Sequence, residues 1–497
     1  MLLTPLSTDS RPLTPGGFRS QCVVALVTLV ALVVTAGSAA AQSPRALLSR
    51  DLAAQLAHPT VSSVDVIVSG NAAFVERLAK RHGGSLKRVL ATAGVISLSV
   101  EGLRSIAEDP EAGAVTGDGV MRSHLALVTE QTGAAAAWAG EIAGLGAVIG
   151  KGVGVAIVDS GIDRHTAVSG RVVATVDLTR RNGTGIDRYG HGTHVAGIVA
   201  AGRPNVDTGA EPVGMAPGAH LINVKVLDET GTGTASSVIA GLDWVIANRA
   251  QFGIRVVNLS LGMAPTQSWR DDPVCQAVER AVRAGLVVVA SAGNYGQTAD
   301  GKLIFRTVTS PGISPFAITV GALRTGGTLD VTQHYVAPWS SKGPTPDGLI
   351  KPDIVAPGSK IVSLLSPGST LATRFPERKV MGSGQNGYFE LSGTSQAAAM
   401  VSGAAALLIE SQPRLHPLQV KVLLQASARP LLKEGLVSAG AGALDLETIL
   451  TAPAPFTYSA RAIFPATAVG NSDAIVGADT IVGADTIVWA DTIVWAD

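Results

Sequence analysis

From residue 152 onward the chain alternates short, unbroken apolar runs with longer helix-like stretches, and this alternation constrains the fold more than any other feature. The apolar runs occupy 153–158, 221–226, 256–259, 286–290 and 317–320, and helical composition fills 191–200, 235–250 and 274–284. A strand that reads as continuous Val, Ile, Leu and Ala, rather than alternating with polar residues, is buried on both faces. The expected architecture is therefore α/β, a mostly parallel central sheet with helices on both faces. Functional side chains in such sheets gather beyond the carboxyl ends of the strands. Asp159 and Asn294 follow two of the predicted strands closely.

Upstream, the pattern differs. Residues 64–68 read as a strand, 71–82 as a helix capped by Asn71, 86–90 and 95–100 as strands, 103–108 as a short helix stopped at Pro110, and Ala114-Val115 as a last strand. The order βαββαβ is the split, ferredoxin-like α+β arrangement. By itself it suits a small binding domain of any kind.

The extreme N-terminus has the character of an export signal. Arg11 and Arg19 precede an apolar run at 23–36, and Ala39-Ala40-Ala41 offers a small-residue cleavage site. The run is short for a membrane span, so no stable span is expected after its removal. Cys22 would leave with the signal, and Cys275 alone would remain, so the exported chain would hold no internal disulfide. Lys plus Arg and Asp plus Glu both number 38, which gives no bulk attraction for a nucleic acid.

Four residues stand out as chemistry. Asp159 ends an apolar strand, with Gly161 beyond it to let the chain turn. His191 lies in Gly190-His191-Gly192-Thr193-His194, where glycines allow close approach of another segment. A zinc reading of His191 and His194 fails, because the spacing is wrong and the general-base glutamate is missing; His194 reads as structural. Asn294 follows the run 286–290, and Ser395 sits in Gly393-Thr394-Ser395-Gln396 at the start of an alanine-rich helix. Each also has an ordinary reading: Asp159 and Asn294 as turn residues, and Ser395 as a helix N-cap.

Taken together and in this order, the blocks Asp159-Ser160-Gly161-Ile162-Asp163, Gly190-His191-Gly192-Thr193-His194-Val195-Ala196-Gly197, Ala292-Gly293-Asn294 and Gly393-Thr394-Ser395 resemble the subtilisin-like serine proteases, over roughly 125–450. The resemblance implies a secreted serine endopeptidase acting on peptide and protein substrates. In it Ser395 is the nucleophile, His191 its base, Asp159 the orienting carboxylate and Asn294 an oxyanion donor. It implies that Gly231-Thr232-Gly233 and Ser260-Leu261-Gly262 pair with an extended substrate. No cofactor is required for this chemistry. The family often ties down surface loops with calcium, and Asn205, Asp207 and Glu211 in the loop 203–214 offer oxygen ligands, but their spacing is irregular, so solvated loop residues are the favoured reading and no metal ligand is assigned. The departure from the family pattern follows the serine, where Gln396-Ala397-Ala398-Ala399 replaces Met-Ala-(Ala or Ser)-Pro.

The resemblance also gives the upstream βαββαβ segment a role, as a propeptide that assists folding and then inhibits, removed by self-cleavage between about 120 and 130. The expected organisation is a signal peptide at 1–41, a propeptide at 42–125, a catalytic domain at 126–451, a linker at 452–472 and a hexapeptide-repeat tail at 473–497. The tail places Asp473, Asp479, Asp485, Asp491 and Asp497 in register every six residues. An even period keeps each residue type on one face of a strand, which favours β structure over helix. A monomer is expected. The competing reading is a catalytically weakened surface or matrix protein that displays the repeats; an α/β-hydrolase esterase is disfavoured, since no Gly-x-Ser-x-Gly elbow is present.

Overall fold

The computed structural model describes residues 45–90, 92–118, 124–180, 183–202, 214–452 and 486–487. The chain divides into two compact units between Met121 and Arg122.

The first unit runs β1 (Leu47–Leu48), α1 (Arg50–Ala57), β2 (Ser63–Ser69), α2 (Ala72–Arg81), β3 (Ser85–Val89), β4 (Ala93–Ser99), α3 (Val100–Ala107) and β5 (Ala114–Gly117). The sheet order is β1-β5-β2-β4-β3. From β2 onward this is the βαββαβ order read from the sequence. The leading β1 and α1 went unforeseen, and a two-residue strand carries no periodicity to read. Asn71 caps α2 by accepting from the Phe74 N–H at 3.0 Å, and Ser99 caps α3 by accepting from the Gly102 N–H at 3.1 Å. Val66, Val68, Ile96 and Leu98 on the sheet meet Val75, Leu78, Leu103 and Ile106 on the helices in one apolar core.

The second unit is built on β6 (Gly154–Asp159), β7 (Val172–Asp177), β8 (His220–Lys225), the two-residue β9 (Gly233–Thr234), β10 (Ile254–Leu259), β11 (Val287–Ser291), β12 (Ile318–Arg324), β13 (Tyr335–Val336) and β14 (Ile354–Pro357). All but β9 form one eight-stranded sheet in the order β13-β12-β11-β10-β6-β8-β7, with β14 also on β12. Every pairing in it is parallel except that of β13 with β12. The helices α4 (His191–Ala200), α5 (Ala235–Asn248), α6 (Pro273–Arg283), α7 (Thr394–Ser411) and α8 (Pro417–Ala426) cover it. Alternate residues of β6 serve opposite cores: Val155 and Ile157 join the core of α4 and α7, whereas Ala156 and Val158 join that of α5 and α6. Burial on both faces is why the strand reads as continuously apolar. It also places the end of β6, at Asp159, in the middle of the sheet.

Three features lie outside the main sheet or bind its rim. The strands β15 (Ile361–Leu364), β16 (Lys379–Met381) and β17 (Tyr388–Leu391) make a small antiparallel sheet that leads into α7. Thr486–Ile487, β18, pairs antiparallel with β9, Thr486 opposite Thr234 and Ile487 opposite Gly233. Near the β12–β14 edge, the buried Asp353 carboxylate accepts from Lys351 Nζ at 2.6 Å and lies 3.0 Å from Lys421 Nζ.

The expected signal sequence, the residues 119–123 within the expected cleavage segment, the residues Asn205, Asp207 and Glu211 weighed for calcium, and the rest of the repeat tail lie outside the described residues. Among the described residues, no helix is long and apolar enough to cross a membrane, and no group of three or more His, Cys, Asp and Glu is placed to hold a metal ion.

Candidate active site

Asp159 and His191 are brought together by two glycines. The β6 strand ends on Asp159, and the chain then turns at Gly161, whose φ of 115° is a conformation that favours glycine. A Cβ on Gly192 would lie 2.2 Å from the Gly161 carbonyl oxygen, so only glycine lets the start of α4 sit this close to the end of β6. The result is that His191 Nδ1 faces the Asp159 carboxylate, 2.9 Å from Oδ1 and 3.0 Å from Oδ2. With Nδ1 as the donor to a carboxylate, the neutral ring carries its lone pair on Nε2. Both side chains are buried.

A second carboxylate braces this pair. Asp187 is fully buried and accepts from Ser160 Oγ at 2.8 Å, Gly190 N–H at 2.7 Å, Thr193 N–H at 2.8 Å and Thr193 Oγ at 2.7 Å. Burial pushes its carboxyl above the usual range, against the pull of those donors. The Lys225 ammonium donates to the Ser160 carbonyl. Burial lowers the Lys225 pKa, and nearby Asp187 opposes that shift. His194 faces away, its Nε2 3.1 Å from the Ile361 carbonyl and 3.0 Å from that of Phe389. Burial, aided by repulsion from His191, pushes it down to about 3 and keeps it neutral.

Ser395 is the second residue of α7, and Gly393 is the N-cap. The N-cap alternative for Ser395 is thereby corrected: the cap lies two residues earlier, because α7 already begins at Thr394, straight after the extended Gly393. Ser395 Oγ donates to the Ser260 carbonyl at 3.4 Å, and Ser260 Oγ returns a bond to the Ser395 carbonyl at 2.9 Å. Asn258 continues this chain, donating to Ser260 Oγ at 2.8 Å and accepting from Ser402 Oγ at 2.9 Å. Thus the end of β10 is stitched to the first turns of α7. Asn294 is tied to the same helix start, its Oδ1 accepting from Thr394 N–H and Thr394 Oγ, both at 3.0 Å. That fixes the amide so that Nδ2 is its other end.

Of the expected substrate segments, that of Ser260 is bonded directly to Ser395. Gly233 opens β9, and Gly231, with φ 78°, precedes it on a turn in which Asp228 Oδ1 accepts from Thr230 N–H at 2.8 Å and Thr232 N–H at 3.0 Å. Ser260-Leu261-Gly262 directly follows β10; Ser260 and Leu261 are buried, and Gly262 is half-buried. Ser160, Asp187, Thr193 and Lys225 were not singled out from the sequence. The available signal was an aspartate four residues before His191 and a lysine inside an otherwise apolar strand.

Comparison with known proteins shows the family to which the chain belongs. Residues 150–446 match the model of the Subtilase family, so the chain belongs to that family. It is 39% identical over 303 residues to serine protease AprX of Bacillus subtilis, covering 60% of this chain and 66% of that protein's length. It is 33% identical over 283 residues to subtilisin DY of Bacillus licheniformis, covering 57% of this chain and 85% of that one. Among solved structures, sphericase aligns with 29% identity and a TM-score of 0.48, over 60% of this chain and 92% of the other.

Proposed function

We propose that the chain is an exported serine endopeptidase, made as a zymogen that processes itself. Ser395 Oγ attacks the scissile carbonyl carbon while its proton passes to His191 Nε2; the C–N bond breaks as His191 returns that proton to the leaving amine. Water repeats the sequence to release the acyl group and restore Ser395. Asp159 holds the imidazole tautomer and stabilises its charged form, and Asn294 Nδ2 with the Ser395 N–H binds the oxyanion. The observation that carries the reading is the Asp159–His191 contact at 2.9 Å from a buried carboxylate to Nδ1, which leaves Nε2 as the base. The Ser395 hydroxyl is bonded to the Ser260 carbonyl here, and hydrogen bonds of unliganded active sites commonly tighten only when substrate binds.

The βαββαβ unit supports the propeptide role by its topology, and the arginines, apolar run and alanines of residues 11–41 support export. Peptide substrates would add as strands at Gly231-Thr232-Gly233 and Ser260-Leu261-Gly262, where main-chain bonds give affinity. Calcium at Asn205, Asp207 and Glu211 is tested by whether a chelator lowers the melting temperature.

The decisive experiment is fluorophosphonate labelling. Ser395 should be labelled in the wild-type protein and spared in His191→Ala, and casein cleavage should vanish in both His191→Ala and Ser395→Ala. Self-processing predicts that Ser395→Ala accumulates full-length precursor in a host lacking other proteases. A folded, processed protein that neither labels nor cuts would favour the binding role instead.

A further inference from the structure

The residue after the proposed nucleophile is a largely buried glutamine whose side chain makes no hydrogen bond to another described residue. Gln396 is only 2% exposed. Gly393 has no side chain, and the space where its Cβ would stand is ringed by polar atoms: Gln396 Oε1 at 2.7 Å, Asn294 Nδ2 at 3.4 Å and Ser395 N at 3.8 Å. Two of these are the donors of the proposed oxyanion hole. The third is the Gln396 amide, oriented toward the same point from the opposite end of the turn.

An amide set in a packed site with no protein hydrogen bond is left to solvent, and it is free to meet a partner that arrives later. The Asn294 amide shows the contrast, since its Oδ1 is engaged by two donors from Thr394. The terminal torsion of a glutamine is broad and two-fold, and a half-turn about it exchanges Oε1 and Nε2 without moving the rest of the chain. Either end can thus face the space above Gly393.

We propose that Gln396 is a third donor of the oxyanion hole, turning Nε2 toward the oxygen that becomes negative when Ser395 attacks the substrate carbonyl. The inference rests on the reading of Ser395 as the nucleophile and deepens it. A neutral donor aimed at developing charge acts in the transition state more than in the ground state, so its loss lowers kcat with little change in KM. The apolar methionine usual in the family at this position has no N–H to offer. Here the hole would hold two side-chain amides, Asn294 and Gln396, beside the backbone N–H of Ser395.

The test compares the full processed enzyme with Gln396→Met and Gln396→Glu on a peptide anilide, with melting temperature as the control for folding. Gln396→Met should lower kcat roughly tenfold, the scale of one neutral hydrogen bond, at nearly constant KM. It should slow fluorophosphonate inactivation in parallel, because the phosphoryl oxygen of the adduct seeks the same donors. Gln396→Glu should lose more, since it sets an anion against an anion. An unchanged or raised kcat in Gln396→Met overturns the proposal. So does an effect confined to KM that varies with the residue after the scissile bond, which would make Gln396 a reader of substrate side chains. If the wild-type enzyme neither labels nor cleaves, the nucleophile assignment itself fails and the third donor falls with it; an active wild type with an equally active Gln396→Met removes only the third donor.

Discussion

Ser160 Oγ donates to Asp187 at 2.8 Å and accepts from the Gly192 N–H at 2.9 Å, so one hydroxyl links the residue after Asp159 to the residue after His191. The relative placement of Asp159 and His191 is therefore held by residues outside the pair. Ser160→Ala should lower kcat about tenfold with KM nearly unchanged, because it removes a positioning bond of ordinary strength. Its fluorophosphonate inactivation should slow in parallel, since a looser Asp159–His191 contact misplaces the proposed base. A loss of melting temperature with unaltered kcat and inactivation rate would reduce Ser160 to a structural role.

Asp187→Ala should act on stability first. The substitution leaves four buried donors without an acceptor, and each such orphan costs on the order of 1–3 kcal/mol before relaxation. A destabilisation of at least about 3 kcal/mol is expected in urea unfolding, and less than about 1 kcal/mol would show that water replaces the carboxylate.

Gly393→Ala should abolish turnover while leaving the fold nearly intact. Gly393 has an extended φ of 166°, so alanine is not strained there, but its methyl would intrude 2.7 Å from Gln396 Oε1 and 3.4 Å from Asn294 Nδ2. It would fill the space proposed for the oxyanion. Turnover should fall by about a hundredfold or more, on the scale of an oxyanion-hole deletion, with a melting temperature close to wild type. Retention of activity would place the oxyanion elsewhere.

Asn294 separates two functions within one amide. Asn294→Ala should slow turnover by about two to three orders of magnitude, a range established on a subtilisin rather than derived from this geometry. It should also destabilise, since Thr394 loses the acceptor of two bonds. Asn294→Asp keeps that acceptor and loses the donor. It should match the kinetic defect of the alanine variant with a smaller drop in melting temperature; equal drops would dissolve the distinction.

The Asp353 cluster makes a pH prediction. Burial pushes Lys421 down to about 7, with attraction to Asp353 opposing and Lys351 assisting, from an ordinary lysine value of 10.5. Between those values the unfolded chain binds more protons than the folded one, so this group makes stability rise as pH increases from about 7 to 10.5 and contributes no slope below. Lys421→Met should flatten that rise in urea unfolding compared at about pH 7 and about pH 9.5. Asp353→Asn, which removes the carboxylate charge facing buried Lys351 and Lys421, should cost about 3–5 kcal/mol.

Much of this was legible because burial writes itself into composition. The five inner strands read as apolar runs since residues such as Val155 and Ala156 face cores on opposite sides of the sheet. The edge strand β7 (VVATVD) escaped because its solvent-facing positions break the run. The small sheet of β15, β16 and β17 escaped because its strands are short and pair across a long loop. At the site, Asp159, His191, Asn294 and Ser395 each sit beside a glycine or small residue that marks a turn. Asp187 has no such punctuation; its importance comes from four donors that converge only after α4 folds against β6. Gln396 was visible as a departure, but the space it faces was not.

The helix that begins at Thr394 is buried along its whole length save Glu410 and Ser411, and it packs against α4 and the middle of the sheet. The proposed nucleophile Ser395, mounted on such an element, has no private way to come loose. The amide protons of this helix should exchange with solvent only through unfolding of the entire unit, while those of exposed loops exchange freely. Heating would then extinguish proteolysis and the global fold in a single event, so an ageing preparation would be a mixture of fully competent and fully unfolded molecules, with no population of folded but weakened enzyme between them.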